Sequence, residues 1–112
     1  MNTVIERVVA EKLTVISNTC LIIAFKRNEM KIRSIEQAFC RLPELIPQIH
    51  HFEWGINNSK EGLHKDFTHC FTLHFKKTTD MDTYLPHPAH KEFVAQLDGI
   101  VEDVLVFDYW AK

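Results

Sequence analysis

The stretch FTHCFTLHF, residues 67–75, decides the reading of this chain. Phe67, His69, Phe71, Leu73 and Phe75 alternate with Thr68, Cys70, Thr72 and His74. Successive side chains of an extended chain point to opposite faces, so this period of two specifies a strand. One of its faces is largely aromatic and belongs against a layer of helices. The other is mostly small and uncharged. Working outward, TCLIIAF (19–25) is a second short run of strand formers, closed by Lys26, Arg27, Asn28 and Glu29. From Met30 to about Leu45, Ile32, Ile35, Phe39 and Leu42 recur at intervals of three and four among charged residues, the pattern of an amphipathic helix. Pro43 and Pro47 bracket its end, because proline lacks the donor a helix interior needs. IHHFEWG (49–55) reads as a strand and the polar residues 57–65 as a loop.

Beyond Phe75, Thr78 or Thr79 suits the cap of a short helix through Tyr84, and Pro88 suits the first turn of a helix from about His87 to Leu97. Phe93, Val94 and Leu97 supply the inward face of that helix, Gly99 its C-terminal turn, and VEDVLVFDY (101–109) the last strand. The order β-α-β-β-α-β is the α+β, ferredoxin-like arrangement, with four antiparallel strands and helices on one face. Its other face carries Cys20, Ile22, Ala24, Cys70 and Thr72, too apolar to be left to water. A homodimer burying more than about 1,200 Å² is the expected remedy.

At 112 residues, with 46% hydrophobic and 25% charged, the chain has the composition of one folded domain. Residues 17–110 hold the strands and helices. Residues 1–16, with Val4, Ile5, Val8, Val9, Leu13 and Ile16 at helical spacing, read as an N-terminal extension. A net charge of −2 without a basic run argues against nucleic acid as a partner. No apolar stretch reaches the length of a membrane span, and Glu6 and Arg7 interrupt any signal-peptide core, so no membrane association is expected. Three Cys without a CxxC pair read as reduced thiols, and a cytoplasmic location is the expectation. His87 and His90 share a helix spacing but lack a third ligand at a recognisable offset, and His50 and His51 point to opposite sides of a strand. No metal site is expected.

Four separated segments, FEWG (52–55), FTH (67–69), YLPHPAHKEF (84–93) and VLVFDY (104–109), together resemble the stress-responsive dimeric α/β-barrel family over about residues 17–110. The resemblance implies two copies packed sheet to sheet in a closed barrel. In its olivetolic acid cyclase-like branch, which closes a linear poly-β-ketone into an aromatic acid, the acid-base pair lies in the segment matching YLPHPAH. That implies roles for Tyr84 and His90, and a pocket role for His69. The branch carries a His where this chain has Thr19 and a Tyr where it has Phe39. Thr19, Phe39, Phe71 and His69 are thus the residues expected to line a ligand pocket between helices and sheet. Such chemistry needs no cofactor: an imidazole can take a proton alpha to a carbonyl while a phenol hydrogen-bonds the enolate oxygen. The resulting expectation is a homodimeric barrel holding a small apolar or aromatic molecule. A cofactor-independent cyclase, lyase or isomerase using His90 and Tyr84 is the alternative. Packing roles for His69, His90 and Trp54 compete with both.

Overall fold

The computed structural model describes residues 17–112; the extension read over residues 1–16 lies outside the described residues. The elements are β1 (Ser17–Phe25), α1 (Glu29–Leu45), β2 (His51–Ile56), β3 (His69–Phe75), α2 (Thr78–Tyr84), α3 (Pro88–Leu97) and β4 (Val101–Trp110). The strands form one sheet in the order β2-β3-β1-β4, with every neighbouring pair antiparallel. β2 returns beyond β3 after α1 crosses the sheet, which is the split βαβ crossover of the ferredoxin-like fold. Among the described residues no helix is long and apolar enough to cross a membrane.

The alternation read along residues 67–75 holds through β3. His69, Phe71, Leu73 and Phe75 are buried, whereas Cys70, Thr72 and His74 lie on the opposite, more exposed face. Register extends both faces across the sheet. Thr19, Leu21 and Ile23 pair with Leu73, Phe71 and His69 on the helix side, and Cys20 and Ile22 pair with Thr72 and Cys70 on the other. In β4, Leu105, Phe107 and Tyr109 fall on that second face, opposite Ile22, Cys20 and Asn18. All three are at least 42% exposed. The structure therefore leaves an apolar surface open on this face at β4, whereas Asn18 and Ala24 of β1 on the same face are only 4% exposed.

Phe39 of α1 is the keystone of the helix-facing core. Its ring stacks on Phe71 with centroids 4.0 Å apart and planes within 7°, and meets Phe93 of α3 edge-on at 4.3 Å. Phe39 and Phe71 have no exposed surface. Full burial of one such ring stabilises the fold by about 1.5–3 kcal/mol.

The boundaries depart from the sequence reading where local chemistry is decisive. β3 begins at His69, not Phe67, because Lys65 and Asp66 adopt positive φ (51° and 68°) in a turn closed by the Phe67 N–H on the His64 carbonyl. β2 begins at His51, and Ile49 ahead of it is buried in the core instead. α1, by contrast, ends at Leu45 between Pro43 and Pro47 as read. α2 is capped at Lys77, whose N–H donates to the Asp80 carboxylate at 3.2 Å, so Thr78 and Thr79 are already inside the helix. In α3, Phe93 is buried but Val94 is 47% exposed, so Val94 does not contribute the inward face expected of it. Pro88 does open this helix and Gly99, at φ +76°, does follow it.

Candidate functional site

The segment joining α2 to α3 builds the local geometry of the YLPHPAH motif. Tyr84 ends α2 with its ring buried against Phe75, centroids 5.1 Å apart. His87 then caps α3: its Nδ1 accepts the Ala89 N–H at 3.0 Å, and Pro88 supplies the preset φ of the first turn. This occupation of His87 separates it from His90, with which it shared only a spacing. His90, one turn into α3, lies half-buried beside Tyr84, with ring centroids 4.3 Å apart.

His90 Nδ1 sits 2.9 Å from the Leu85 carbonyl oxygen. A carbonyl can only accept, so Nδ1 carries the proton and donates, which makes Nε2 the lone-pair nitrogen of the neutral ring. The chain thereby presents an imidazole whose tautomer is set by its own backbone. Burial pushes the Tyr84 phenol well above its ordinary range, and the negative charge of Asp108 pushes it further in the same direction. A phenol in that setting stays protonated and remains a hydrogen-bond donor.

Thr19 belongs to the same end of the sheet. It pairs in register with Asp108 and donates its hydroxyl to the Met81 sulfur at 3.3 Å. Tyr84, His90 and Thr19 thus gather near Asp108 and Met81. Neither of the last two was singled out from sequence, although Asp108 carried a signal. It interrupts the apolar run of Val104 and Val106 in the helix-facing phase of β4, at a position open to solvent.

His69 lies elsewhere. It opens β3, whereas the Phe75 that packs on Tyr84 closes it, six residues along an extended strand and hence about 20 Å away. Both of its nitrogens are engaged: Nε2 donates to the Glu36 carboxylate at 2.7 Å and Nδ1 meets the Thr68 hydroxyl at 2.7 Å. The ring is packed edge-on against Phe25 at 4.8 Å and stacked parallel to Trp54 at 6.0 Å. His69 lines two clefts. One of about 550 Å³ opens beside Ile22, Leu105, Phe67 and Thr68, and one of about 720 Å³ beside Phe25, Arg27, Asn28 and Ile32. Phe39 and Phe71 lie between the two ends of the sheet, in ring-to-ring contact with each other. The six residues expected to share one pocket are therefore divided: Tyr84, His90 and Thr19 at one end, Phe39 and Phe71 in the packed centre, and His69 at the other end.

Residues 21–111 match the family model described as the Stress Responsive A/B Barrel Domain. Among curated proteins, the chain is 37% identical over 79 residues to the stress-response A/B barrel domain-containing protein HS1 of Arabidopsis thaliana, covering 70% of this chain and 72% of that one. It is 26% identical over 73 residues to olivetolic acid cyclase of Cannabis sativa, covering 65% of this chain and 72% of the cyclase. Among solved structures, the Arabidopsis thaliana protein At3g17210 superposes with a TM-score of 0.80 at 33% identity, over 86% of this chain and 95% of that one. The hydroxynitrile lyase from Passiflora edulis shares the fold with a TM-score of 0.83 at 19% identity, over 88% and 95% of the two chains. So does a dimeric ferredoxin-like protein of unknown function from Jannaschia, with a TM-score of 0.73 at 21% identity, over 84% and 97%.

Proposed function

The chain belongs to the stress-responsive A/B barrel domain family, and from that premise we propose that it is a homodimeric barrel protein that holds a small apolar or aromatic carbonyl compound and moves a proton on it. His90 and Tyr84 are the groups that do so. The observation that carries this reading is the 2.9 Å bond from His90 Nδ1 to the Leu85 carbonyl, which directs the basic Nε2 away from the backbone beside a phenol held protonated. In the proposed step, His90 Nε2 takes the proton alpha to a carbonyl and the Tyr84 hydroxyl donates a hydrogen bond to the developing enolate oxygen. Attack of the enolate carbon on a second carbonyl, whose alkoxide takes the proton back from His90, is a cyclisation; expulsion of a leaving group beta to the carbonyl, protonated as it departs, is an elimination; return of the proton to a different carbon is an isomerisation. The likeness to olivetolic acid cyclase supports the first of these outcomes. Dimerisation is supported by the exposed Leu105, Phe107 and Tyr109 on the helix-free sheet face.

The test is proton exchange. A panel of aryl ketones and β-diketones in deuterated buffer, followed by proton NMR, should show protein-accelerated loss of the alpha-proton signal. His90→Ala should abolish the acceleration, and Tyr84→Phe should reduce it by about 10²-fold or more, the scale of one lost oxyanion donor. Acceleration that survives His90→Ala overturns the assignment. Saturable binding of a panel member with no acceleration by the wild-type protein leaves a barrel that holds its ligand without turnover.

A further inference from the structure

The helix-free face of the sheet brings together three side chains that are not adjacent in sequence. His51 and Glu53 are two apart on the edge strand β2, which places both on one face, and His51 pairs in register with His74 of the neighbouring β3. A donor atom from each of the three lies within 4.8 Å of the other two. His74 Nε2 is already 3.5 Å from Glu53 Oε1, and the two imidazole rings meet at 63° with centroids 5.1 Å apart.

We propose that His51, Glu53 and His74 form a binding site for a divalent first-row transition-metal ion of the zinc class. Nitrogen and carboxylate ligands around a tetrahedral zinc at bond lengths of about 2.0–2.2 Å stand roughly 3.3 Å from one another. The His74–Glu53 pair is close to that separation, and closing the remaining distances needs movements of about 1.5 Å or less, within the reach of side-chain rotation at exposed positions. Two imidazoles and one carboxylate select this class of ion over magnesium or calcium, which favour all-oxygen sets. Three protein ligands also leave a fourth position open.

A second observation points the same way. His74 Nε2 has essentially no accessible surface and no hydrogen-bond partner among the described residues, and Asn18 Oδ1 shares that condition. Asn18 is 4% exposed and lies directly across from His74 in the β1–β3 register, on the same face. An uncompensated buried polar atom is costly, and natural structures rarely keep one without a ligand or ordered water to meet it. A cation at the trio satisfies His74 Nε2 directly, and a water bound to that cation is a suitable donor for the neighbouring Asn18 carbonyl. The 3.5 Å approach of Glu53 is too long to meet His74 Nε2 with a hydrogen bond, and a carboxylate, which only accepts, has nothing to donate to Asn18 Oδ1.

The experiment is a titration of the metal-free full chain with Co²⁺, read by the visible absorption of four-coordinate cobalt, followed by displacement with Zn²⁺. One saturable Co²⁺ per chain, displaced by Zn²⁺, is expected. His51→Gln and Glu53→Gln, both exposed in the single chain on an edge strand, should each weaken binding by at least about 10-fold, the lower scale for loss of even an outer-shell partner. His50→Gln and His64→Gln should leave it unchanged. Thermal melts give an independent readout, since Zn²⁺ should raise the melting temperature of the wild type but not of Glu53→Gln. Absence of saturable binding, or binding equally strong in His51→Gln and Glu53→Gln, overturns the site.

Discussion

Replacement of His69 and of His90 by alanine should have opposite consequences, although both residues were candidates for the same pocket. His69 makes two 2.7 Å hydrogen bonds, one of them to the Glu36 carboxylate, whose side chain is only 18% exposed. A bond to a charged group contributes about 1.5–3 kcal/mol and a neutral one about 1 kcal/mol. The edge-on Phe25 contact and the Trp54 stack add about 0.5–1.5 kcal/mol. His69→Ala also leaves Glu36 without its donor. Allowing for partial rescue of Glu36 by solvent, the expected cost is about 3 kcal/mol, or a fall in melting temperature of about 13 °C for a domain of this size. His90 makes one hydrogen bond to a backbone carbonyl and is half-buried, so His90→Ala should cost about 1 kcal/mol. Urea unfolding by far-UV circular dichroism, with every variant at the same protein concentration because the proposed dimerisation would couple to stability, measures both. A His69→Ala variant within 1 kcal/mol of wild type would refute the structural role of the Thr68–His69–Glu36 cluster. A His90→Ala variant as damaged as His69→Ala would refute the free-base reading of His90.

Tyr84 gives a pH test with a definite sign. Its phenol holds its proton more tightly folded than unfolded, where the reference value is 10.0, so stability should be unaffected below that pH and fall as pH rises beyond it. Tyr84→Phe should flatten that alkaline decline in urea melts between about pH 9 and 11, and an unchanged slope would contradict the burial argument. Phe39→Ala should cost about 3–5 kcal/mol in the same assay, because its ring contacts Phe71 and Phe93 with no exposed surface to relax into. Phe107→Asp, on the helix-free face, should convert a dimer seen by sedimentation equilibrium into a monomer while retaining helical circular dichroism. A wild-type monomer at micromolar concentration would remove the basis for a barrel.

Much of the architecture was legible because the strands alternate cleanly. The phase of His69, Phe71, Leu73 and Phe75 set which face meets the helices, and the opposite phase of β1 and β3 set which face is bare. Local signals misled where a tertiary or backbone effect outweighed them. Phe67 continues the alternation on paper, but the left-handed residues Lys65 and Asp66 turn the chain before it can pair. Thr78 and Thr79 are better caps than Lys77 by propensity, yet the Asp80 carboxylate reaches back to the Lys77 N–H and starts the helix a residue earlier. Val94 follows the helical period beside Phe93, but the Phe39 ring that recruits Phe93 leaves it facing solvent.

The candidate sites were less legible for a reason that His69 and His90 expose. Residue type and phase describe the two similarly, as imidazoles on the inward sides of their elements. What separates them is the partner of each nitrogen, and partners come from elsewhere in the chain. Glu36, thirty-three residues before His69, occupies its Nε2 and turns it into a packing group. The Leu85 carbonyl, five residues before His90, engages Nδ1, and among the described residues no partner meets Nε2. The same logic governs His51, Glu53 and His74. The His-x-Glu spacing on one strand becomes a three-donor cluster only when the β2–β3 register sets His51 opposite His74, and a shift of one residue would send His74 to the helix side. Chemistry in this fold is thus decided by cross-element pairing, and Asp108 acting on Tyr84 from β4 is a further instance.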